Sequence, residues 1–334
     1  MSAPPFVHLR LHSEFSISDG LVRIDEAVEL ARSRNMGALV LTDLNNLFGW
    51  VRFYLQARKA GIKPIAGAEV WIASDEDHPH PFRVVLLVRT LSGYHALCRL
   101  LSAAWREHQQ QGIAYVPLAL LIQEKEGLLV LSGADQGDVG QALSAGQWDL
   151  ARARALAWKT RWGDDYYLEL QRIGDPMRDR LCEPTVQLAA ELDIPVVATH
   201  PIQFPAREDF KAHEARVCIA EGRLLADPKR PHLFTPEQYF KSPDEMAELF
   251  QDIPAALANS VEIARRCSLE LTLGKSRLPD FPTPEGITLD DFLRQQAQAG
   301  LERRLTQLYP DETLRQKETA TYRERLDFEC QTIV

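Results

Sequence analysis

The stretch Phe6-Val-His-Leu-Arg-Leu11 is rich in β-forming residues and predicts a strand, as does Ala38-Leu-Val-Leu41. Between them, four apolar residues recur at helical spacing, which predicts a helix with one stripe against a sheet: Ile24, Ala27, Val28 and Ala31. Gly37 is expected to end this helix in a left-handed conformation. The three elements together predict a βαβ unit.

The same alternation of short β-rich runs with helical patterns continues along the chain. Strands that alternate with helices favour a parallel sheet or barrel, so the expected fold class is α/β. The further predicted strands are Ile65–Ile72, Arg83–Val88, Leu128–Leu131, Tyr166–Leu170 and Ile194–Ala198.

Composition is that of an ordinary globular protein, with 45% hydrophobic and 25% charged residues in 334. The apolar runs are too short to cross a bilayer. The five cysteines are widely spaced and indicate neither a disulfide framework nor a thiolate zinc site. We therefore expect a cytoplasmic protein. A net charge of −9 disfavours autonomous binding to duplex DNA. One basic cluster is either a local anion patch or a solvated loop: Arg223, Lys229, Arg230 and His232.

Three prolines in the stretch 278–284 predict a domain boundary, because proline fits neither a helix interior nor a central strand. We expect one domain over 1–275, a Pro-rich linker over 276–287 and a helical region over 288–334. Thr288 with Asp291 predicts the start of a helix there. A second amphipathic pattern runs to Val334 without a cap, which predicts that the natural polypeptide continues.

Polar side chains near the ends of the predicted strands are the candidates for chemistry. His8 and His12 suggest a metal, but Arg10 lies between them on the same face, and a fixed cation opposes a divalent ion. Asp43 is either a site carboxylate or a helix N-cap, and Glu69 is either a site residue or a solvated strand residue. Taken singly, each of these signals is weak.

Together, the motifs resemble the PHP (polymerase and histidinol phosphatase) domain at the start of bacterial DNA polymerase III alpha subunits, especially those of proteobacteria. The resemblance covers nearly the whole chain and implies a distorted (β/α)7 barrel followed by a short helical extension, the start of the polymerase palm. The stretches that carry it include 6–13, 16–20, 38–43, 60–69, 90–94 and 196–199, then 227–231, 242–246, 253–259 and 278–282.

Complete members of this family hold a metal cluster, and the resemblance implies that most of its ligands are replaced here. His12, Asp19 and Glu69 match the family pattern. Positions where the family has a metal ligand carry other residues in this chain: Arg10, Leu44, Arg83, Ala134, Pro201 and Gln203. We expect the two arginines to pair with surviving carboxylates and so to replace the electrostatic role of the lost cations. His200 is a possible additional ligand, but its side chain should point away from that of Pro201.

The resemblance also implies a role in DNA replication, as part of a DNA-directed DNA polymerase (a nucleotidyltransferase). The expected partners are the proofreading exonuclease subunit, the remainder of the alpha subunit and primer-template DNA, with no membrane. No cofactor is expected for this region, since the Mg²⁺ of the full polymerase would be held by residues beyond it. One rival is an active metal-dependent phosphoesterase or 3′–5′ exonuclease of PHP type, and another is a free-standing binding protein.

Overall fold

The computed structural model describes residues 6–276 and 279–334. The first five residues of the predicted domain and two residues of the predicted linker, Arg277 and Leu278, lie outside the described residues. The chain divides into two compact units, the first ending at Leu271 and the second spanning Thr272–Val334.

Strands and helices alternate through most of the first unit. The strands are β1 Ala38–Leu41, β2 Lys63–Ile72, β3 Phe82–Val88, β4 Gln109–Gln110, β5 Ile113–Val116, β6 Leu128–Leu131, β7 Tyr166–Leu170 and β8 Val196–Ala198. The helices are α1 Ile24–Ser33, α2 Trp50–Lys59, α3 Leu91–Glu107, α4 Leu118–Gln123, α5 Asp138–Ser144, α6 Trp148–Trp162, α7 Pro176–Asp179, α8 Cys182–Leu192, α9 Phe210–Glu221, α10 Pro243–Leu249 and α11 Pro254–Arg266.

The strands form a distorted (β/α)7 barrel, in the order β1-β2-β3-β6-β7-β8. Residues 6–12 close the ring. Leu11 forms a parallel bridge with Ile202, just after β8, and its carbonyl oxygen accepts a hydrogen bond from the backbone N–H of Thr42, just after β1, at 3.0 Å. Within residues 6–12 only Leu11 forms a β-bridge, so the regular strand expected at Phe6–Leu11 is not present and the segment closes the barrel in an irregular extended conformation.

The distortion comes from β3, which runs antiparallel to both β2 and β6, whereas β1, β2, β6, β7 and β8 pair in parallel. No helix separates β2 from β3 in the chain, and a direct connection returns the chain in the opposite direction. The short β4–β5 hairpin adds to β2 beyond the barrel, through Trp71 and Ile72.

Helix α1 packs as its sequence predicts: Ile24, Ala27, Val28 and Ala31 are its buried residues. It ends earlier than expected, because Asn35 takes the left-handed conformation (φ 53°) assigned to Gly37, which does not adopt it. The asparagine side chain tolerates that region better than most others. At the start of α10, Ser242 followed by Pro243 and Glu245 predicts a helix N-terminus with a capping box. The structure confirms it: Ser242 accepts from the N–H of Glu245, whose side chain accepts from the N–H of Ser242.

The second unit consists mainly of two helices, α12 Leu289–Leu308 and α13 Glu312–Ile333. Thr288 caps α12 by accepting from the N–H of Asp291, as its sequence predicts. Tyr309 and Tyr322 pack edge to face between the two helices. Among the described residues, no helix has the length and apolar character needed to cross a membrane.

Candidate functional site in the barrel mouth

A buried polar cluster lies at the end of the barrel where the parallel strands finish, the usual location of sites in α/β barrels. Arg10 and His12 come from the closing segment, Glu69 from β2 and Glu169 from β7. Arg83 is at the start of β3, and it reaches the same end because β3 runs antiparallel. The reversed strand therefore brings its first residues, rather than its last, to the site.

Glu69 is the centre of the cluster and is 1% exposed. Its Oε2 lies 2.5 Å from Nη2 of Arg10 and 2.8 Å from Nε2 of His12, and its Oε1 lies 3.2 Å from Nη1 of Arg83. Burial would raise the pKa of Glu69, but the charges of Arg10 and Arg83 outweigh burial and hold that pKa well below its usual range. Glu69 is therefore a carboxylate with three cationic partners.

His12 uses both ring nitrogens, since its Nδ1 also lies 3.0 Å from Oδ1 of Asp19. A neutral imidazole donates from only one nitrogen, so the imidazolium is the form that satisfies both carboxylates. Burial lowers the pKa of His12, but the charges and hydrogen bonds of Asp19 and Glu69 outweigh it and raise the pKa to about 10. The pKa of Asp19 is lowered in turn: burial opposes ionisation, but His12 more than compensates.

Arg83 is held from a second side by an aromatic ring. Its guanidinium carbon lies 4.2 Å from the centroid of the Trp71 ring, on the neighbouring strand β2. The side chain is 17% exposed, against 5% for Arg10, so Arg83 forms the outer edge of the cluster.

Glu169 is the site residue that the sequence reasoning missed. Arg10 bridges to it, with Nη1 3.4 Å from Oε1. It also accepts from the Gly133 N–H at 2.6 Å, the Thr199 hydroxyl at 2.7 Å and the Gln171 side-chain amide at 3.5 Å. A single carboxylate within the apolar run Tyr166–Leu170 was the available signal, because an acid inside a buried strand needs partners.

Gly133 supplies its N–H to Glu169 from a left-handed conformation (φ 80°), two residues after the end of β6. A Cβ at this position would lie 2.0 Å from the carbonyl oxygen of Arg83. The turn therefore requires glycine both for its backbone angle and for the close approach of β3.

Pro201 and Gln203 line one cavity together with Arg10, Glu69 and Arg83, as the aligned family positions imply. The cavity has a volume of about 20 Å³, which is room for a single water molecule. Two other predicted positions lie at its periphery. Leu44 is half-buried and joins Glu69 only by a backbone bridge, and Ala134 lines an adjacent cavity with Glu169.

Two histidines of the sequence lie apart from the cluster. His8 donates from Nε2 to the carbonyl oxygen of Lys241 at 2.8 Å, and His200 donates from Nε2 to the carbonyl oxygen of Tyr239 at 3.1 Å. Burial lowers the pKa of His8 to about 4. Both therefore anchor the segment before α10, and His200 is not a ligand in this cluster.

Asp43 has neither of the two roles that its position suggested. It accepts from the backbone N–H of Ser13 at 2.7 Å and from the hydroxyls of Ser13 and Ser16 at 2.9 and 3.0 Å. It is 1% exposed, and it stabilises the turn that leads from His12 to Asp19. Asp43 is thus a positioning residue behind the cluster.

Comparison with known proteins identifies the architecture. Residues 8–173 match the model of the PHP domain family. The chain is also 48% identical, over its full length, to the DNA polymerase III subunit alpha of Neisseria meningitidis serogroup A. This chain belongs to the PHP domain family. The PHP-containing chain is 44% identical over 98% of its length to the same subunit of Pseudomonas aeruginosa and 42% identical over its full length to that of Escherichia coli K12.

The chain spans about 30% of the length of these alpha subunits: 30%, 28% and 29% respectively. A solved amidohydrolase structure from Chromobacterium violaceum aligns with 63% of this chain and 96% of its own at 14% identity, with a TM-score of 0.44. That likeness is too low to bear on function.

The residues present do not fit the metal cluster that membership of the PHP family implies. Glu69 faces a cation at each oxygen, and those charges oppose a metal ion; His12 faces a carboxylate at each nitrogen, and the imidazolium has no lone pair to offer a metal. Leu44 and Ala134 have no donor atoms in their side chains. Over residues 6–276 and 279–334, no group of three His, Cys, Asp or Glu side chains is arranged to hold a metal ion.

Proposed function

We propose that this chain is the N-terminal part of a replicative DNA polymerase III alpha subunit and that its PHP domain is a catalytically inactive module for structure and interaction. The observation that supports inactivity is the placement of Arg10, Arg83 and His12 around Glu69. In this proposal the domain docks the proofreading exonuclease subunit in the cytoplasm.

Charge balance supports this role for the cations. Three cationic groups, those of Arg10, His12 and Arg83, face three carboxylates, those of Asp19, Glu69 and Glu169. A cluster balanced in this way gains nothing electrostatically from a divalent cation, which would be repelled by two permanent guanidinium charges. The paired charges keep the polar interior of the barrel mouth stable without a metal.

The whole protein, in this proposal, is a DNA-directed DNA polymerase that elongates primers on template DNA within the polymerase III core. Its 42–48% identity to alpha subunits of Neisseria, Pseudomonas and Escherichia supports the assignment. The Mg²⁺ of that reaction would be held by residues outside this chain, and the remainder of the alpha subunit is the partner that supplies them.

The inactive role is tested by metal content and hydrolysis. We expect the purified chain to contain no stoichiometric Zn, Mn or Fe and to show no phosphatase activity above background, because its ligand groups are already paired. Elemental analysis and a chromogenic phosphate ester, each with and without chelator, make the measurement. One or more tightly bound transition metals per chain, or chelator-sensitive turnover that His12→Ala abolishes, would support the active phosphoesterase instead.

The docking role is tested by titrating the labelled exonuclease subunit into the chain. We expect a dissociation constant on the order of nanomolar to micromolar, because ordering a flexible segment on binding lowers the net affinity. The intact alpha subunit is the positive control. Absence of binding at about 100 μM, with normal binding by the intact subunit, would place the attachment outside this domain.

A further inference from the structure

The loop that joins β2 to β3, residues 73–81, is held on helices α5 and α6 by side chains of both helices. Arg154 of α6 donates from Nη2 to the carbonyl oxygen of Asp77 at 3.4 Å. Gln141 of α5 donates from its side-chain amide to the carbonyl oxygen of Pro81 at 3.2 Å. Between these two points, the ring of His78 reaches α5 as well. The position of the loop therefore depends on its contacts with the two helices.

Both ring nitrogens of His78 face carboxylates. Nδ1 lies 2.9 Å from Oδ1 of Asp75, in the same loop, and Nε2 lies 3.3 Å from Oδ2 of Asp138, the first residue of α5. The side chains of His78 and Asp138 are 13% and 1% exposed, so water does not separate them. A neutral imidazole donates from one nitrogen only. The bridge from Asp75 through His78 to Asp138 is therefore complete only when the imidazole is charged.

The charged and titratable groups around His78 come from its own loop, α5, α6 and β7. Asp75 and Asp138 face the ring, and Arg154 of α6 donates to the carbonyl oxygen of Asp138 at 2.9 Å. Tyr166 of β7 lies near Asp138, and burial holds the pKa of its hydroxyl well above the usual value, so it is neutral. The hydrogen bonds to Asp138 and Asp75 outweigh burial and raise the pKa of His78 above its usual value.

Both carboxylates keep other donors when the imidazole is neutral. Asp138 accepts from the indole N–H of Trp158 at 3.0 Å and from the backbone N–H of Val139 at 2.9 Å. Asp75 accepts from the backbone N–H of His78 at 2.7 Å, and its side chain is partly exposed to water. Loss of the His78 proton therefore leaves neither carboxylate buried without a partner, so the contact can open at low cost in free energy.

We infer that His78 is a proton-dependent latch, which fixes the β2–β3 loop on α5 while its imidazole is charged and frees the loop when the imidazole is neutral. A neutral ring presents a lone pair to one of the two carboxylates, so one contact becomes repulsive. The loop connects Trp71 to Arg83, which pair across β2 and β3 at the mouth of the barrel. Rising pH therefore loosens the rim of the mouth, where Arg83 lies, rather than the buried centre of the cluster.

Hydrogen–deuterium exchange of the whole chain, followed by mass spectrometry, measures the protection of residues 73–81 between about pH 5.5 and pH 9, a range that includes the usual pKa of histidine. The NMR signal of the His78 ring, assigned by correlation to its backbone, gives the midpoint of its titration. After correction for the intrinsic exchange rate at each pH, we expect protection of the loop to fall by about tenfold as the pH rises. The midpoint of this fall should equal that of the His78 ring.

Three single variants distinguish a latch from a loop whose mobility is unrelated to His78. His78→Gln should give low protection of the loop that does not change with pH. Asp75→Asn removes one of the two carboxylates and should move both midpoints to lower pH together. His80→Gln is the matched control, because His80 is exposed in the same loop, and it should behave as the parent does.

Circular dichroism checks that each variant is folded. Loop protection in the parent that does not change with pH would overturn the inference, and so would an equal fall in His78→Gln. A loop midpoint that differs from the midpoint of the His78 ring would overturn it as well. The comparison of the two midpoints in the parent and in Asp75→Asn decides the question even if His78→Gln does not fold.

Discussion

Replacement of Arg10 by methionine tests the central electrostatic claim about the barrel mouth. The arginine side chain is 5% exposed and lies 2.5 Å from Glu69 and 3.4 Å from Glu169. Methionine keeps much of the volume of the side chain but removes the charge. Two buried carboxylates then lose a shared cation.

The expected loss of stability in Arg10→Met depends on the partners that Glu69 and Glu169 still have. Removing one partner of a buried ion pair costs about 3–5 kcal/mol when the other charge is left alone. Here Glu69 keeps Arg83 and His12, and Glu169 keeps the N–H of Gly133 and a hydroxyl. We therefore expect Arg10→Met to lower the free energy of unfolding by about 2–4 kcal/mol.

Urea unfolding followed by tryptophan fluorescence measures this change in the first unit alone, since all six tryptophans lie before residue 271: Trp50, Trp71, Trp105, Trp148, Trp158 and Trp162. Glu69→Gln and the double variant complete a thermodynamic cycle, and we expect a coupling energy of at least about 1 kcal/mol. Arg152→Ala is the control, because Arg152 pairs with Glu191 on the surface and its loss should cost no more than roughly 0.5 kcal/mol.

A free energy of unfolding for Arg10→Met within error of the parent would refute the reasoning. So would a coupling energy near zero, since it would mean that Arg10 and Glu69 act independently despite their contact.

Two further predictions concern pH and helix capping. The folded state holds a proton on His12 up to a pKa of about 10, against 6.5 for an ordinary histidine, so this stabilisation is complete below pH 6.5 and is lost as the pH rises towards 10. Between pH 6.5 and pH 9 we expect the free energy of unfolding to fall by on the order of 3 kcal/mol. The variant His12→Gln should lack this fall. If the parent and the variant show the same dependence of the free energy of unfolding on pH, His12 is not a charged imidazolium in the folded state. Ser242→Ala should lower the free energy of unfolding by about 1 kcal/mol, because it removes the hydroxyl that accepts from the backbone N–H of Glu245 at 3.2 Å. Ser33→Ala, at an exposed position, is the control and should change it little; thermal unfolding measures both.

Local patterns in the sequence were sufficient for several features of this protein. The apolar spacing of α1, the capping box at Ser242 and the cap at Thr288 depend on contacts within a few residues, and the structure confirms each of them. The resemblance to the PHP family predicted the barrel, which is present, and named Glu69 and Arg83, which lie in contact.

Features that depend on distant parts of the chain were decided only by the tertiary structure. Glu169 joins Arg10 across 159 residues, so no local pattern could pair them. The reversal of β3 brings Arg83 to the mouth of the barrel, and the contact of His78 with Asp138 forms only when the β2–β3 loop packs on α5. Short-range spacing determines which face of a helix or strand is apolar. The fold determines which faces meet, because buried charges and apolar surfaces are brought into contact only when distant parts of the chain close the barrel.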